Sequence, residues 1–189
     1  MGIDAELAEG WRRPPGIFII AEVTGPLGDR IREIQRRYDP KLANALPPHL
    51  TIAGSSGVGP VAADTPVPEL RQRLEPICRD TVPLHIPLQP PHRFMQTDIV
   101  VLPMDPNGPL RALHDRIATS GLRFGSTRHA FTPHVTLSFY RTLEPRDLRA
   151  LLAVRIEEPV TLSSIRCSLT DEPMPPRTLL EIPFGPAPS

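Results

Sequence analysis

The sequence is poor in cysteine, lysine and long apolar runs, and each shortage closes off a class of protein. Two cysteines in 189 residues, Cys78 and Cys167, are too few for a disulfide framework. Neither belongs to a CxxC pair or to metal-ligand spacing, so both are expected as buried small hydrophobes in a reducing compartment. Lys41 is the only lysine; arginine supplies the rest of the basic charge, and 21 basic residues balance 21 acidic ones. A protein that grips long duplex nucleic acid by its phosphates shows a basic excess. A neutral total fits a small nucleotide or an RNA end instead, with room for a local arginine patch. No apolar run approaches the roughly 20 residues that span a bilayer. Asp4, Glu6 and Glu9 interrupt the stretch where a signal core would lie, and Glu6 stands where a myristoylation signal needs Ser or Thr. The expectation is a cytoplasmic protein that does not associate with membranes.

Proline, in contrast, is abundant at 26 residues, which argues for many fixed turns and against long uninterrupted helices. Residues 1–16 read as a leader, 17–184 as a single domain and 185–189 as a proline-rich tail. Within the domain, β-branched and apolar residues at 17–23 predict a strand covered on both faces. Leu27, Ile31, Ile34 and Tyr38 follow helical spacing, and Asp39-Pro40 is expected to stop that helix. A second strand is predicted at 49–53. The glycine-rich stretch 54–59 reads as a plain loop, because it lacks the GxxxxGK[ST] pattern and Pro60 blocks a helix directly behind it. Further along come a helix over 67–78, an edge strand over 82–88, a strand over 98–104 and a helix carrying Leu110, Leu113 and Ile117. A buried strand over 131–140, a helix opening at Pro145, and strands over 160–169 and 178–184 complete the pattern.

This order repeats. A strand, an amphipathic helix and then His49-x-Thr51 are answered by a strand, an amphipathic helix and then His134-x-Thr136. Each histidine follows a proline and precedes an apolar residue. Alternate residues of a strand share a face about 6–7 Å apart, so each His and its Thr point the same way while Leu50, Ile52, Val135 and Leu137 point behind. The duplication predicts two related lobes whose motif strands lie side by side. Six histidines and thirteen threonines give roughly 0.4 His-x-Thr by chance, so one copy means little and two in matching places mean a good deal.

The chemistry of such a pair is specific. Cleaving a phosphodiester in line needs one group to take a proton from the nucleophile and another to give one to the leaving oxygen. Two histidines flanking a phosphate divide those roles without a metal, and a hydroxyl on the same face donates to a non-bridging oxygen. His85, His92, His114 and His129 show no metal-binding spacing and are expected on the surface or packed. No cofactor is called for.

Pro-His49-Leu-Thr51-Ile and Pro-His134-Val-Thr136-Leu resemble the two signature motifs of the 2H phosphoesterase superfamily. Within it, the likeness is greatest to the 2′-5′ RNA ligase-like proteins, which include RNA 2′,3′-cyclic phosphodiesterases. The resemblance covers most of 17–184. It implies a bilobal, duplicated α+β fold with antiparallel sheets around a central cleft and helices on the outside. It also implies metal-independent hydrolysis of cyclic phosphates or 2′-5′ linkages in nucleotides or RNA ends. Carried over, His49 and His134 become the acid/base pair, and Thr51 and Thr136 the phosphate donors. Family members often place an aromatic or basic residue just after the second motif, where Tyr140 and Arg141 stand as candidate substrate contacts; Arg128 and His129 are weaker ones. The expected partner is a cyclic nucleotide or an RNA terminus bearing a cyclic phosphate, handled by a monomer. A non-catalytic nucleotide- or RNA-binding module and a reversible 2′-5′ RNA ligase remain alternatives. Which histidine is the base is left open, with specificity expected from loops 54–66, 89–97 and 122–130.

Overall fold

The computed structural model describes residues 15–94, 97–171 and 174–186; positions 1–14 of the expected leader and 187–189 of the expected tail lie outside them. In chain order the elements are β1 (Gly16–Glu22), α1 (Gly25–Tyr38), α2 (Pro40–Ala45), β2 (His49–Ala53), β3 (Val61–Ala62) and α3 (Val67–Arg79). They continue with β4 (Leu84–Ile86), β5 (His92–Arg93), β6 (Val100–Pro103), α4 (Gly108–Ala118) and β7 (His134–Ser138). The last are α5 (Pro145–Leu152), β8 (Val160–Leu162), β9 (Ser164–Asp171) and β10 (Met174–Pro183).

The repeat is visible in how the helices begin. Gly25-Pro26-Leu27 opens α1 and Gly108-Pro109-Leu110 opens α4, each glycine at positive φ (70° and 64°). Glycine takes that conformation at little cost, and the proline behind it is already set for a first helical turn.

The architecture is α+β with antiparallel sheets. The main sheet runs β10-β9-β1-β2-β7-β6-β5, with β3 added on β1, and all its pairs are antiparallel. The two motif strands are neighbours near its middle and join the two halves into one sheet. A separate two-stranded sheet pairs β4 with β8. Alternation along the strands then sorts the side chains. Ile17, Ile19, Ala21, Leu50, Ile52, Val135, Leu137 and Leu102 meet Ile31, Leu70, Leu74, Leu110 and Ile117 of the helices in one buried core. Phe18, Ile20 and Val101 are also buried but lie outside that core. Ile20 stands opposite Thr51 and Val101 opposite Thr136, so these three floor the other face, the one that carries the motifs.

The helices cross between halves. α1, from the first half, packs on β7, and Gln35 Nε2 donates to the Thr136 carbonyl at 2.8 Å. α4, from the second half, packs on β2, where His114 Nδ1 donates to the Ile52 carbonyl at 2.7 Å. His114 is buried and stacked on Phe131, with ring centroids 4.1 Å apart.

Several elements differ from the pattern in the sequence, and the expected loops 54–66 and 89–97 each carry a two-residue strand, β3 and β5, because their backbones pair with β1 and β6. Asp39-Pro40 does end α1, but Pro40 also starts α2, because a proline fits the first helical position and Asp39 caps it. The predicted strand over 160–169 is two strands in two sheets, β8 on β4 and β9 on β1. The stretch 131–140 is paired only from His134 to Ser138.

Candidate active site

β2 and β7 pair antiparallel with Leu50 opposite Val135. One step either way in that register brings His49 opposite Thr136, and Thr51 opposite His134. The four polar side chains therefore form one patch on one face, each histidine facing the other motif's threonine. All four are half-buried, between fully buried Leu50, Ile52, Val135 and Leu137.

The local chain orients both imidazoles alike. His49 Nδ1 lies 2.8 Å from the Pro47 carbonyl and His134 Nδ1 lies 2.8 Å from the Thr132 carbonyl, each two residues upstream. The proline between, Pro48 or Pro133, restricts the preceding residue to extended conformations and so helps aim that carbonyl. The prolines' own carbonyls are anchored as well: Val23 N–H donates to Pro48 at 2.8 Å and Met104 N–H to Pro133 at 3.0 Å. A carbonyl only accepts, so Nδ1 carries the hydrogen in both rings. A neutral ring then has its lone pair on Nε2, and a protonated ring has an acidic N–H there.

Burial pushes both imidazoles below their ordinary value of 6.5, against the upward pull of the bonds to Pro47 and Thr132. For His49, the charges of His134 and Arg166 press further in the same downward direction. The free site thus favours neutral rings, and an anionic ligand between them would favour protonation.

The flanks differ. Glu22 stands opposite His49, and Arg166 opposite Ile20 on the next strand out. The Arg166 Nη2 binds Glu22 at 2.6 Å and Glu181 at 3.4 Å, while its Nε is buried without a hydrogen-bond partner. Beside His134, Pro103 stands opposite and the Phe94 ring meets the imidazole at 5.3 Å and 88°. Arg166, Glu22 and Phe94 were missed in the motif reading. Arg166 had one faint signal, a charge alternating with apolar Ile165 and Cys167.

Tyr140 and Arg141 lie past the last paired residue of β7, and both are exposed. Tyr140 N–H donates to Asp39, and Lys41 Nζ sits 4.3 Å from the centre of the Tyr140 ring. Arg128 and His129 are exposed in the link before β7; the His129 carbonyl accepts from Gly57 N–H at 2.9 Å. Loop 54–59 holds the second motif, since Ser56 Oγ accepts from Thr132 N–H at 3.0 Å, the residue whose carbonyl orients His134. Among the described residues, no group of three or more His, Cys, Asp or Glu side chains is placed to hold a metal ion. None of their helices is long and apolar enough to cross a membrane. Cys78 and Cys167 are free and buried, and burial pushes both thiols up to about 12.

An α+β fold whose two central antiparallel strands each present His-x-Thr on one face defines a two-histidine, two-threonine class of proteins. The sequence profile of the 2′-5′ RNA ligase superfamily matches residues 24–171, and the chain belongs to that family of 2H phosphoesterases. Among solved structures, E. coli LigT complexed with 3′-AMP is similar at 17% identity and a TM-score of 0.52, over 91% of this chain and 99% of that one. LigT complexed with NADP+ has the same identity and TM-score over 92% and 99%. A protein described as a phosphoesterase is 18% identical with a TM-score of 0.51, again over 92% and 99%. At such identities the likeness is one of fold. No curated protein matches the sequence. Membership of the family supports phosphoesterase-type activity.

Proposed function

We propose that this protein hydrolyses cyclic phosphate or 2′-5′ phosphodiester bonds in nucleotides or RNA ends, with His49 and His134 as its acid/base pair and no metal requirement. The observation that carries the reading is the matched pair of Nδ1–carbonyl bonds, 2.8 Å each, which leaves Nε2 of both rings for proton transfer across adjacent strands. In the reaction, a water oxygen attacks phosphorus while a neutral imidazole takes its proton at Nε2. The bond from phosphorus to the 2′- or 3′-oxygen breaks, and the protonated imidazole gives that oxygen its hydrogen. Thr51 and Thr136 donate to the non-bridging oxygens, whose charge grows in the transition state. Tyr140 and Arg141, at the end of β7, contact the rest of the substrate. Structures of LigT with 3′-AMP, ATP and NADP+ are consistent with a nucleotide-sized ligand.

His49→Ala and His134→Ala are each expected to lower kcat by about 10²–10⁴ on the best substrate among 2′,3′-cyclic, 3′,5′-cyclic and 2′-5′-linked compounds. Wild-type turnover should persist in chelator. Activity that survives both substitutions would sink the mechanism. Tight binding of a cyclic nucleotide with no product over hours would make the protein a binding module instead.

A further inference from the structure

The patch is two-fold in its own side chains but not in what surrounds it. Outside His49 the face is ionic, with Glu22, Arg166 and Glu181 linked through one guanidinium. Outside His134 it is apolar and aromatic. Pro103 and Val101 line it across from His134 and Thr136, and His92 stands opposite Val101, two residues before Phe94. The Phe94 ring makes T-shaped contacts with His134, at 5.3 Å and 88°, and with His92, at 6.5 Å and 75°.

Phe94 is partly exposed and takes no part in the main core, yet its backbone is firmly held. Its N–H donates to the Ile99 carbonyl at 3.0 Å, and its carbonyl accepts from Thr97 N–H at 3.1 Å and from Thr97 Oγ1 at 2.8 Å. Next to it, Arg93 pairs with Asp98 at 2.9 Å and also donates to the Thr97 carbonyl. An aromatic ring carried on a hydrogen-bonded turn at the rim of a site, covering no core, has the form of a stacking platform. Nucleobases stack on such rings whatever their sequence, because each has a π-face.

We propose that Phe94 is the nucleobase platform of this site, so that the nucleoside half of the substrate lies over β5 and β6 with its leaving ribose oxygen at His134. The entering water then comes from the ionic flank, and His49 is the group that takes its proton. This rests on the phosphodiesterase reading above and adds the direction in which the substrate lies.

The test compares wild type, Phe94→Ala and Phe94→Trp on a nucleoside 2′,3′-cyclic phosphate and on glycerol 1,2-cyclic phosphate, which has no base. Stacking of one base is worth roughly a five- to 150-fold change in affinity. F94A is therefore expected to lower the ratio of kcat/KM on the nucleoside substrate to that on the base-free one by about tenfold or more, chiefly through KM. F94W should restore the ratio. If Phe94 only props His134, F94A slows both substrates alike through kcat and leaves the ratio intact, which overturns the proposal. If the wild type turns over neither substrate, the 2′,3′-cyclic phosphate part of the phosphodiesterase reading fails by itself. Phe94 is then judged by binding of 3′-AMP against glycerol 2-phosphate. Selective loss of 3′-AMP affinity in F94A supports the platform, and equal or no loss overturns it.

Discussion

Arg166 belongs to neither motif, yet its charge bears on His49. A cation beside an imidazole disfavours the imidazolium, and the groups around this ring are Arg166, Glu22, Glu181 and His134. In Arg166→Met the cation is gone and two carboxylates lose their partner, so both changes favour protonated His49. Its value must rise. With His49 as the base proposed above, its neutral form is then populated only at higher pH, and the acid limb of the kcat/KM profile moves upward; a profile between pH 5 and 8 with that limb unmoved or lowered would refute either the coupling or that assignment. The same residue shows where a sequence stops being informative. His49, Thr51, His134 and Thr136 are legible because each pair lies two apart on one strand, and strand alternation alone puts it on one face. Arg166, Glu22 and Phe94 reach the site through pairing between strands far apart in sequence, and no local pattern states which strand lies beside which.

At the level of elements, the junction between α1 and α2 does more than turn the chain. Asp39 is 1% exposed and accepts three backbone N–H groups: Leu42 at 3.1 Å through Oδ1, and Phe139 and Tyr140 at 2.7 Å through Oδ2. One carboxylate thereby caps α2 and pins the end of β7, just where Tyr140 and Arg141 emerge. Bonds to a charged acceptor contribute more than neutral ones, and truncation leaves the donors unmet. Asp39→Ala is expected to lower unfolding stability by about 2–3 kcal/mol in urea at neutral pH, and Asp39→Asn by less. A loss for D39A below about 1 kcal/mol would show that water replaces the carboxylate. In the sequence, Asp39-Pro40 carried only its local meaning, a break. Its second role needs Phe139 and Tyr140, a hundred residues away. Strand β8 was hidden for a similar reason: the doubled polar Ser163-Ser164 is the one slip in the alternation of 160–169, and only the partners β4 and β1 assign the two parts to different sheets. The motif strand at 49–53 and the helix beginning at Val67 were legible because their boundaries are set by their own prolines, glycines and apolar spacing.

For the whole molecule, the exchange of helices matters more than the duplication. If each half covered its own motif strand, the chain would be two units sharing an edge, and each could melt separately. Instead α1 covers β7 and α4 covers β2, while β2 and β7 are paired. Unfolding either half strips the motif strand of the other, so the two histidines share one cooperative unit. Ile31, fully buried on α1, is a clean probe of this, since it belongs to the first half and neither motif contains it. Ile31→Ala removes buried methylenes and should cost about 2–5 kcal/mol. A cooperative molecule responds with one transition, moved to lower urea, that coincides by far-UV circular dichroism and by the ring-proton resonances of His134. If the halves were independent, I31A would produce two steps, and the His134 signals would keep the wild-type midpoint. That outcome would break the link between the exchanged helices and the paired site, because it would mean that His134 holds its geometry after the first half has gone.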